Sequence, residues 1–216
     1  MDTTALETTR RSLHAVAELL LAGPQYRQSG TIRLRVHADG FATLAAPELL
    51  VQGTHLVAGG RRLPLDGTTC AALAAELGIE GGGPAGLYQD GSGVGMDEEL
   101  SVDPTAAARL VGAFASGDAA LRRFAPDQQP VLWPEHFDLG ISVDSVNYGV
   151  SPGDGFSPEP YAYVGPWTRR VGGFWNASFG ATRPIRRPDD AAEVLAFFTE
   201  GRDRAAADPV SAEDEG

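Results

Sequence analysis

The sequence is dominated by an aromatic stretch rich in glycine and proline, residues 130–184, which reads PVLWPEHFDLGISVDSVNYGVSPGDGFSPEPYAYVGPWTRRVGGFWNASFGATRP. It contains all three tryptophans, three of the five tyrosines and four of the nine phenylalanines. Such residues suit a ligand pocket, because rings supply contact area while polar atoms fix orientation. They equally suit a β-rich core with long loops. The stretch therefore predicts either a pocket or a core.

Alternating apolar residues predict antiparallel strands in both halves of the chain. The alternation covers residues 31–37 and, within the aromatic stretch, residues 136–144. In the second segment the period of two places His136 and Asp138 together on the polar face of the strand.

Helical periodicity and helix-boundary residues mark four further segments. Helices are predicted over Thr8–Leu21, ended by Gly23-Pro24; over Cys70–Leu77, closed by Gly78; after Asp103-Pro104, in two pieces broken at residues 116–118; and after Asp189. Together these elements predict an α+β fold, with N-terminal, central and C-terminal helices packed on a largely antiparallel sheet. We expect a single domain over residues 1–207, with the glycine-rich loop 80–97 as an internal linker, and a frayed acidic tail over 208–216.

Composition excludes several classes of function. The formal net charge of -12 argues against nucleic-acid partners and against anionic membrane surfaces. The chain has no lysine, which excludes Schiff-base enzymes and Walker-type phosphate loops. Cys70 is the only cysteine, so no internal disulfide can form, and no secretory signal or long apolar run is found. We therefore expect a cytoplasmic protein, and no cofactor.

Catalytic candidates cluster at the start of the polar strand face. Glu135, His136 and Asp138 could act as acid–base residues or, with a second histidine, as metal ligands. Because no histidine follows His136, the sequence predicts no metal site. Residues 149–153 match the G-x-S-x-G pattern of hydrolases, but Pro152 lacks the N–H that an oxyanion hole requires at that position.

A ligand-binding function requires fewer special residues than catalysis. We predict that residues 133–175 bind a small neutral or cationic ligand through Asn147, Tyr148, Asp154, Trp167 and Trp175. Two alternatives stay open at this point. One is an enzyme that uses His136 with Asp138 or Glu135, and the other is a structural or protein-interaction module whose aromatic residues all lie in the core.

Several short motifs resemble a family of uncharacterised conserved bacterial proteins, a domain of unknown function. They are residues 9–14 (TRRSLH), 32–36, 136–139 (HFDL), 160–163 (PYAY), 174–177 (FWNA) and a closing helix over 191–199. Residues 132–139 and 146–167 are similar to hypothetical proteins of actinobacteria. The resemblance implies no activity, cofactor or catalytic residue.

Overall fold

A ten-stranded antiparallel sheet with helices packed on one face is the framework of the protein. The computed structural model describes residues 3–88, 91–187 and 190–211. The helices are α1 (Thr3–Ala15), a π-helix (Val16–Ala22), α2 (Gly23–Ser29), α3 (Cys70–Leu77), α4 (Pro104–Phe124) and α5 (Ala191–Ala207). The strands are β1 (Leu34–His37), β2 (Gly40–Thr43), β3 (Leu50–Gln52), β4 (His55–Ala58), β5 (Arg61–Pro64), β6 (Val131–Trp133), β7 (Asp138–Val143), β8 (Val146–Ser151), β9 (Tyr161–Pro166) and β10 (Ala181–Pro184). The predicted α+β class is confirmed.

The sheet consists of two five-stranded meanders that meet at their first strands. The strand order is β10-β9-β8-β7-β6-β1-β2-β3-β4-β5, and β1 pairs with β6 at Leu34 and Leu132. Each meander follows a helical segment and is followed by another helix, so the order helix, five strands, helix occurs twice. The sequence shows no corresponding repeat.

Small residues bring the helices close to one face of the sheet. Helix α4 packs on β7 and β8, and α5 packs on β8, β9 and β10. A Cβ atom on Gly117 of α4 would lie 2.5 Å from Cγ2 of Val150, and one on Gly201 of α5 would lie 2.6 Å from Cγ2 of Val164. The alternate residues Ser142 and Asn147 point to the opposite face and are exposed, so that face is open at β7 and β8.

Two predicted helix boundaries are wrong. Gly23 and Pro24 begin α2 instead of ending the first helix, because Ala22 and Gly23 keep helical φ and ψ and the helical run continues through them. Pro24 has no N–H to donate, and the Leu19 carbonyl accepts the Gly82 N–H instead. The helical run ends at Gly30, which has a φ of 74°. The break predicted at residues 116–118 does not occur, and α4 is continuous. Gly117 lies inside the helix, where it allows close contact with Val150 of the sheet. The predicted helix Cys70–Leu77 is confirmed, and none of the described helices is long and apolar enough to cross a membrane.

The glycine-rich segment 80–97 is attached to the N-terminal helices in its described parts. The Glu18 carboxylate of the π-helix accepts hydrogen bonds from the backbone N–H and the hydroxyl of Ser92, at 2.8 and 2.7 Å. Gly82 donates its N–H to the Leu19 carbonyl at 2.8 Å. Residues 89 and 90 of the predicted linker lie outside the described residues.

The described start of the predicted frayed tail is hydrogen-bonded to the aromatic stretch. The Val171 N–H donates to Pro209 O at 2.9 Å, and the Ser211 N–H donates to Arg169 O at 2.8 Å. Asp208 also accepts a hydrogen bond from Nε1 of Trp175 at 3.0 Å. Residues 208–211 are therefore held in place, and residues 212–216 lie outside the described residues.

The contact between Gly117 and the sheet yields a stability prediction. Alanine is the better helix former by about 1 kcal/mol, but overpacking against Val150 costs roughly 1–3 kcal/mol. We expect Gly117→Ala to lower the free energy of unfolding in urea. Gly95→Ala is the matched control, because a Cβ there meets no atom within 4 Å. A Gly117→Ala protein more stable than the parent would contradict this packing.

Candidate functional site

A large cavity lies where α1 meets the turn between β6 and β7 and the ends of β8 and β9. Its volume is about 890 Å³. The lining side chains include Glu7, Arg10, Arg11 and His14 from α1; Glu135, His136 and Asp138 from the turn and the start of β7; and Ser151, Asp154, Tyr161 and Tyr163 from β8, the following loop and β9. The three predicted catalytic candidates therefore lie in one cavity.

The turn before β7 is held by a buried ring in an unfavourable backbone conformation. Phe137 has a φ of 52°, which is rare for a bulky residue, and is only 1% exposed. Its ring stacks on His14 at 5.4 Å and contacts the edges of Phe41 and Phe114 at 5.4 and 5.3 Å. Such strain persists only where the surrounding structure fixes it, and here the core does so.

The strand predicted to begin at His136 begins instead at Asp138. Residues 134–137 form the turn, because Phe137 leaves the extended conformation to enter the core. His136 is on the turn, with 62% of its side chain exposed, and its Nε2 lies 3.3 Å from Oε1 of Glu135. His136 and Asp138 still line the same cavity, although no strand face joins them.

Two glycines position a tyrosine next to Asp138. Gly140 and Gly149 are opposite each other on β7 and β8, and Tyr163 is opposite Gly149 on β9. A Cβ on Gly149 would lie 2.4 Å from the Tyr163 hydroxyl oxygen, and one on Gly140 would lie 3.0 Å from it. The ring thus lies flat on bare backbone, and its hydroxyl donates a hydrogen bond to Oδ2 of Asp138.

Burial changes the proton affinities of this pair. Desolvation raises the pKa of Asp138, although the hydrogen bond from Tyr163 and the charge of His136 act in the opposite direction. Desolvation and the adjacent Asp138 carboxyl raise the pKa of Tyr163 well above its usual value. A carboxyl group that resists ionisation can donate a proton, whereas a phenol of this kind stays a hydrogen-bond donor.

A second carboxylate–tyrosine pair fixes the loop after β8. The Tyr161 hydroxyl donates to Oδ2 of Asp154 at 2.6 Å, and the Ser151 hydroxyl donates to the same oxygen at 3.4 Å. Oδ1 accepts the N–H groups of Phe156 and Ser157, at 2.8 and 3.2 Å. Asp154, a predicted ligand-binding residue, lines the cavity, but both its oxygens already stabilise the loop.

Helix α1 supplies the opposite wall. His14 donates from Nε2 to the Pro134 carbonyl at 2.7 Å, and burial lowers its pKa. Arg11 forms an ion pair with Glu98, and Nη1 of Arg10 donates to Pro158 O at 3.2 Å. Sequence reasoning missed this wall, although the spacing of residues 7, 10, 11 and 14 marks one polar face of a helix.

The other predicted ligand-binding residues lie outside this cavity. Tyr148 is 1% exposed and packs on Phe198 of α5 and on Phe124 of α4. Trp175 packs against the core beside Phe174. Asn147 and Trp167 are together on the open face of the sheet, where Nε1 of Trp167 donates to Oδ1 of Asn147 at 3.2 Å.

Within the described ranges, no group of three or more histidine, cysteine, aspartate or glutamate residues is arranged to hold a metal ion. No protein-family model, curated protein or solved structure matches the chain. The chemistry of the cavity is thus the basis for assigning a function.

The raised pKa of Asp138 predicts a pH-dependent stability. The pKa of Asp138 in the folded protein exceeds its usual value of 3.8. At a pH between these two pKa values, the carboxyl is protonated in the native state and ionised in the unfolded state. The contribution of Asp138 to stability therefore falls as the pH rises through that interval. We expect the melting temperature of Asp138→Asn, relative to the parent, to be higher at pH 7 than at pH 4.

A second variant tests the direction of this effect. Tyr163→Phe removes the hydrogen bond that favours the Asp138 carboxylate, so stability should fall more steeply with rising pH. Melting curves recorded by circular dichroism between pH 4 and 7 measure both effects. A pH-independent difference between Asp138→Asn and the parent would show that the carboxyl is not desolvated.

Proposed function

We propose that the protein binds a small neutral or cationic ligand in the cavity between α1 and the β6–β7 turn. The observation that supports this most strongly is the convergence of Glu135, His136, Asp138 and Tyr163 on one cavity of about 890 Å³. Ligand sites usually occupy roughly 300–1,000 Å³ and combine apolar walls with a few polar groups. The aromatic side chains Phe137 and Phe179 add apolar area to this wall.

The charge balance of the wall favours neutral or cationic ligands. Glu7, Glu135 and Asp154 contribute carboxylates, and Asp138 is a further acid. Of the two arginines, Arg11 is neutralised by Glu98. An anionic ligand would therefore meet more acidic than basic groups.

Acid–base catalysis in the same cavity is the second candidate function. It is favoured by the hydrogen bond between Tyr163 and an Asp138 whose pKa is raised, next to His136. A general acid needs a pKa near the working pH, and burial moves carboxyl groups in that direction.

Two variants separate catalysis from binding once a ligand that is turned over is known. We expect Asp138→Asn to lower turnover by about 10²–10⁴-fold while the dissociation constant stays within a few-fold of the parent value. Full turnover in both Asp138→Asn and His136→Ala would exclude these residues as the acid–base pair.

Binding is tested by thermal shift with metabolites grouped by charge. A ligand at about a hundred times its Kd stabilises the native state by about 2.7 kcal/mol, which corresponds to roughly 5–10 °C for a chain of this size. We expect such shifts among neutral or cationic compounds, and we expect His136→Ala to reduce them. Because His136 is exposed, the free energy of unfolding of His136→Ala should lie within about 0.5 kcal/mol of the parent value.

His37→Ala is the matched control, since it removes a histidine from β1 at a distance from the cavity. It should leave every ligand-induced shift unchanged. If no compound raises the melting temperature, or if only anionic compounds do, the proposed ligand class is wrong.

A further inference from the structure

A second cavity shares a wall with the proposed binding site. It has a volume of about 470 Å³ and lies on the open face of the sheet over β6, β7 and β8. Glu135, His136, Asp138 and Tyr163 line both cavities. The two cavities are therefore adjacent, and a ligand long enough to span both would contact these four side chains.

We propose that the second cavity is a subsite for a sugar ring, so that the ligand is an oligosaccharide or a glycoside that crosses Asp138. This inference rests on the proposed ligand binding in the first cavity and specifies the chemical class of the ligand. It is carried by the amide group of Asn147, which lines this cavity, and by the exposed ring of Trp167, which is hydrogen-bonded to that amide.

The amide of Asn147 is oriented with its donors available. Its Oδ1 accepts hydrogen bonds from the Ser142 hydroxyl at 2.6 Å and from Nε1 of Trp167 at 3.2 Å. Because both donors fix the oxygen, the orientation of the amide follows from this network. No acceptor among the described residues binds Nδ2, so two N–H groups remain for a ligand on the open face. Adjacent sugar hydroxyls supply matching acceptors.

Trp167 is a large ring held on the surface. It is 69% exposed, yet its backbone N–H donates to Ser145 O at 2.9 Å and its indole N–H is bonded to Asn147. A rigid, uncovered indole loses little entropy when a ligand packs against it. Sugar rings present C–H groups on one side and hydroxyls around the edge, and so fit an indole beside an amide.

The charges of the second cavity favour an uncharged polyol over a phosphate ligand. Among the described residues that line it, Arg33 is the only arginine, and the Arg33 guanidinium carbon lies 5.6 Å from the ring centre of Trp133, over the indole. The Glu135 carboxylate would repel a phosphate group. The remaining polar groups, from Gln128, Gln129, Ser142 and Asn147, are neutral and match hydroxyl groups.

The test compares ligand length using defined probes. Methyl glycosides and linear hexasaccharides of glucose and of N-acetylglucosamine are titrated into the full chain by calorimetry, with tryptophan fluorescence as a second readout. We expect one hexasaccharide to bind at least about tenfold more tightly than its methyl glycoside, because it adds hydrogen bonds and ring contacts. The emission of Trp167 should shift to shorter wavelength.

Three variants test whether the higher affinity for the hexasaccharide than for its methyl glycoside, here called the gain, comes from the second cavity. Asn147→Asp keeps the oxygen that Ser142 and Trp167 contact but removes the two free N–H donors, so the gain should fall about fivefold to tenfold. Trp167→Ala should remove most of the gain, whereas Trp167→Phe, which keeps a ring, should restore much of it. All three should leave the binding of a methyl glycoside in the first cavity unchanged.

The possible failures are distinguishable. If the metabolite screen finds a ligand but no saccharide binds, the sugar subsite is wrong and the proposed binding function stands. Equal affinities for methyl glycoside and hexasaccharide, or a gain that survives Trp167→Ala, would also overturn the subsite. If neither metabolites nor saccharides bind, the proposed function fails as well.

Discussion

The arrangement of the site depends on the burial of Phe137. Its ring packs between His14 of α1, Phe41 of β2 and Phe114 of α4, and so connects three elements that are distant in sequence. To reach this position the backbone adopts a positive φ, which turns the chain sharply before β7. Glu135, His136 and Asp138 surround that turn, so the packing of one apolar ring determines where three polar side chains lie.

The duplicated order of elements explains why the cavity forms in the second meander. Both meanders pair through β1 and β6, and the N-terminal helix packs on α4, which precedes the second meander. Helix α1 thereby reaches the turn between β6 and β7 and supplies His14 and two arginines to the wall. The second meander alone also has the glycines 140 and 149, over which Tyr163 lies.

Local signals in the sequence predicted the elements better than the site. The α+β class and the helix Cys70–Leu77 follow from periodicity and from capping residues, which act over a few positions. The effect of Gly117 was mistaken for a helix break, since its contact with Val150 joins residues 33 positions apart in the chain. Propensity gives no information about such a contact.

The site was predicted in part for the same reason. Glu135, His136 and Asp138 are close in sequence, and their proximity survives even though the expected strand face does not. Tyr163 and His14 join them only through strand pairing and helix packing, which a single sequence does not specify. Tyr148 and Trp175 were expected to contact a ligand, but Tyr148 packs between the sheet and the helices, and Trp175 packs against the margin of the core beside Phe174.

The two aspartate–tyrosine hydrogen bonds stabilise the wall of the cavity, while other polar side chains are left to contact a ligand. Tyr161 and Tyr163 are two residues apart on β9, so both project from the same face. Tyr163 donates its hydroxyl to Asp138 of β7, and Tyr161 donates its hydroxyl to Asp154 of the loop after β8. A desolvated carboxyl without such a donor would be costly, and the Tyr163 hydroxyl supplies one to Asp138. Asp154 is exposed, and its bond from Tyr161 fixes the loop after β8. The side chains of His136 and Asn147 are exposed and that of Glu135 is half-buried, so all three are accessible to a ligand. Differences in specificity can therefore arise at these three positions without removing either aspartate–tyrosine hydrogen bond.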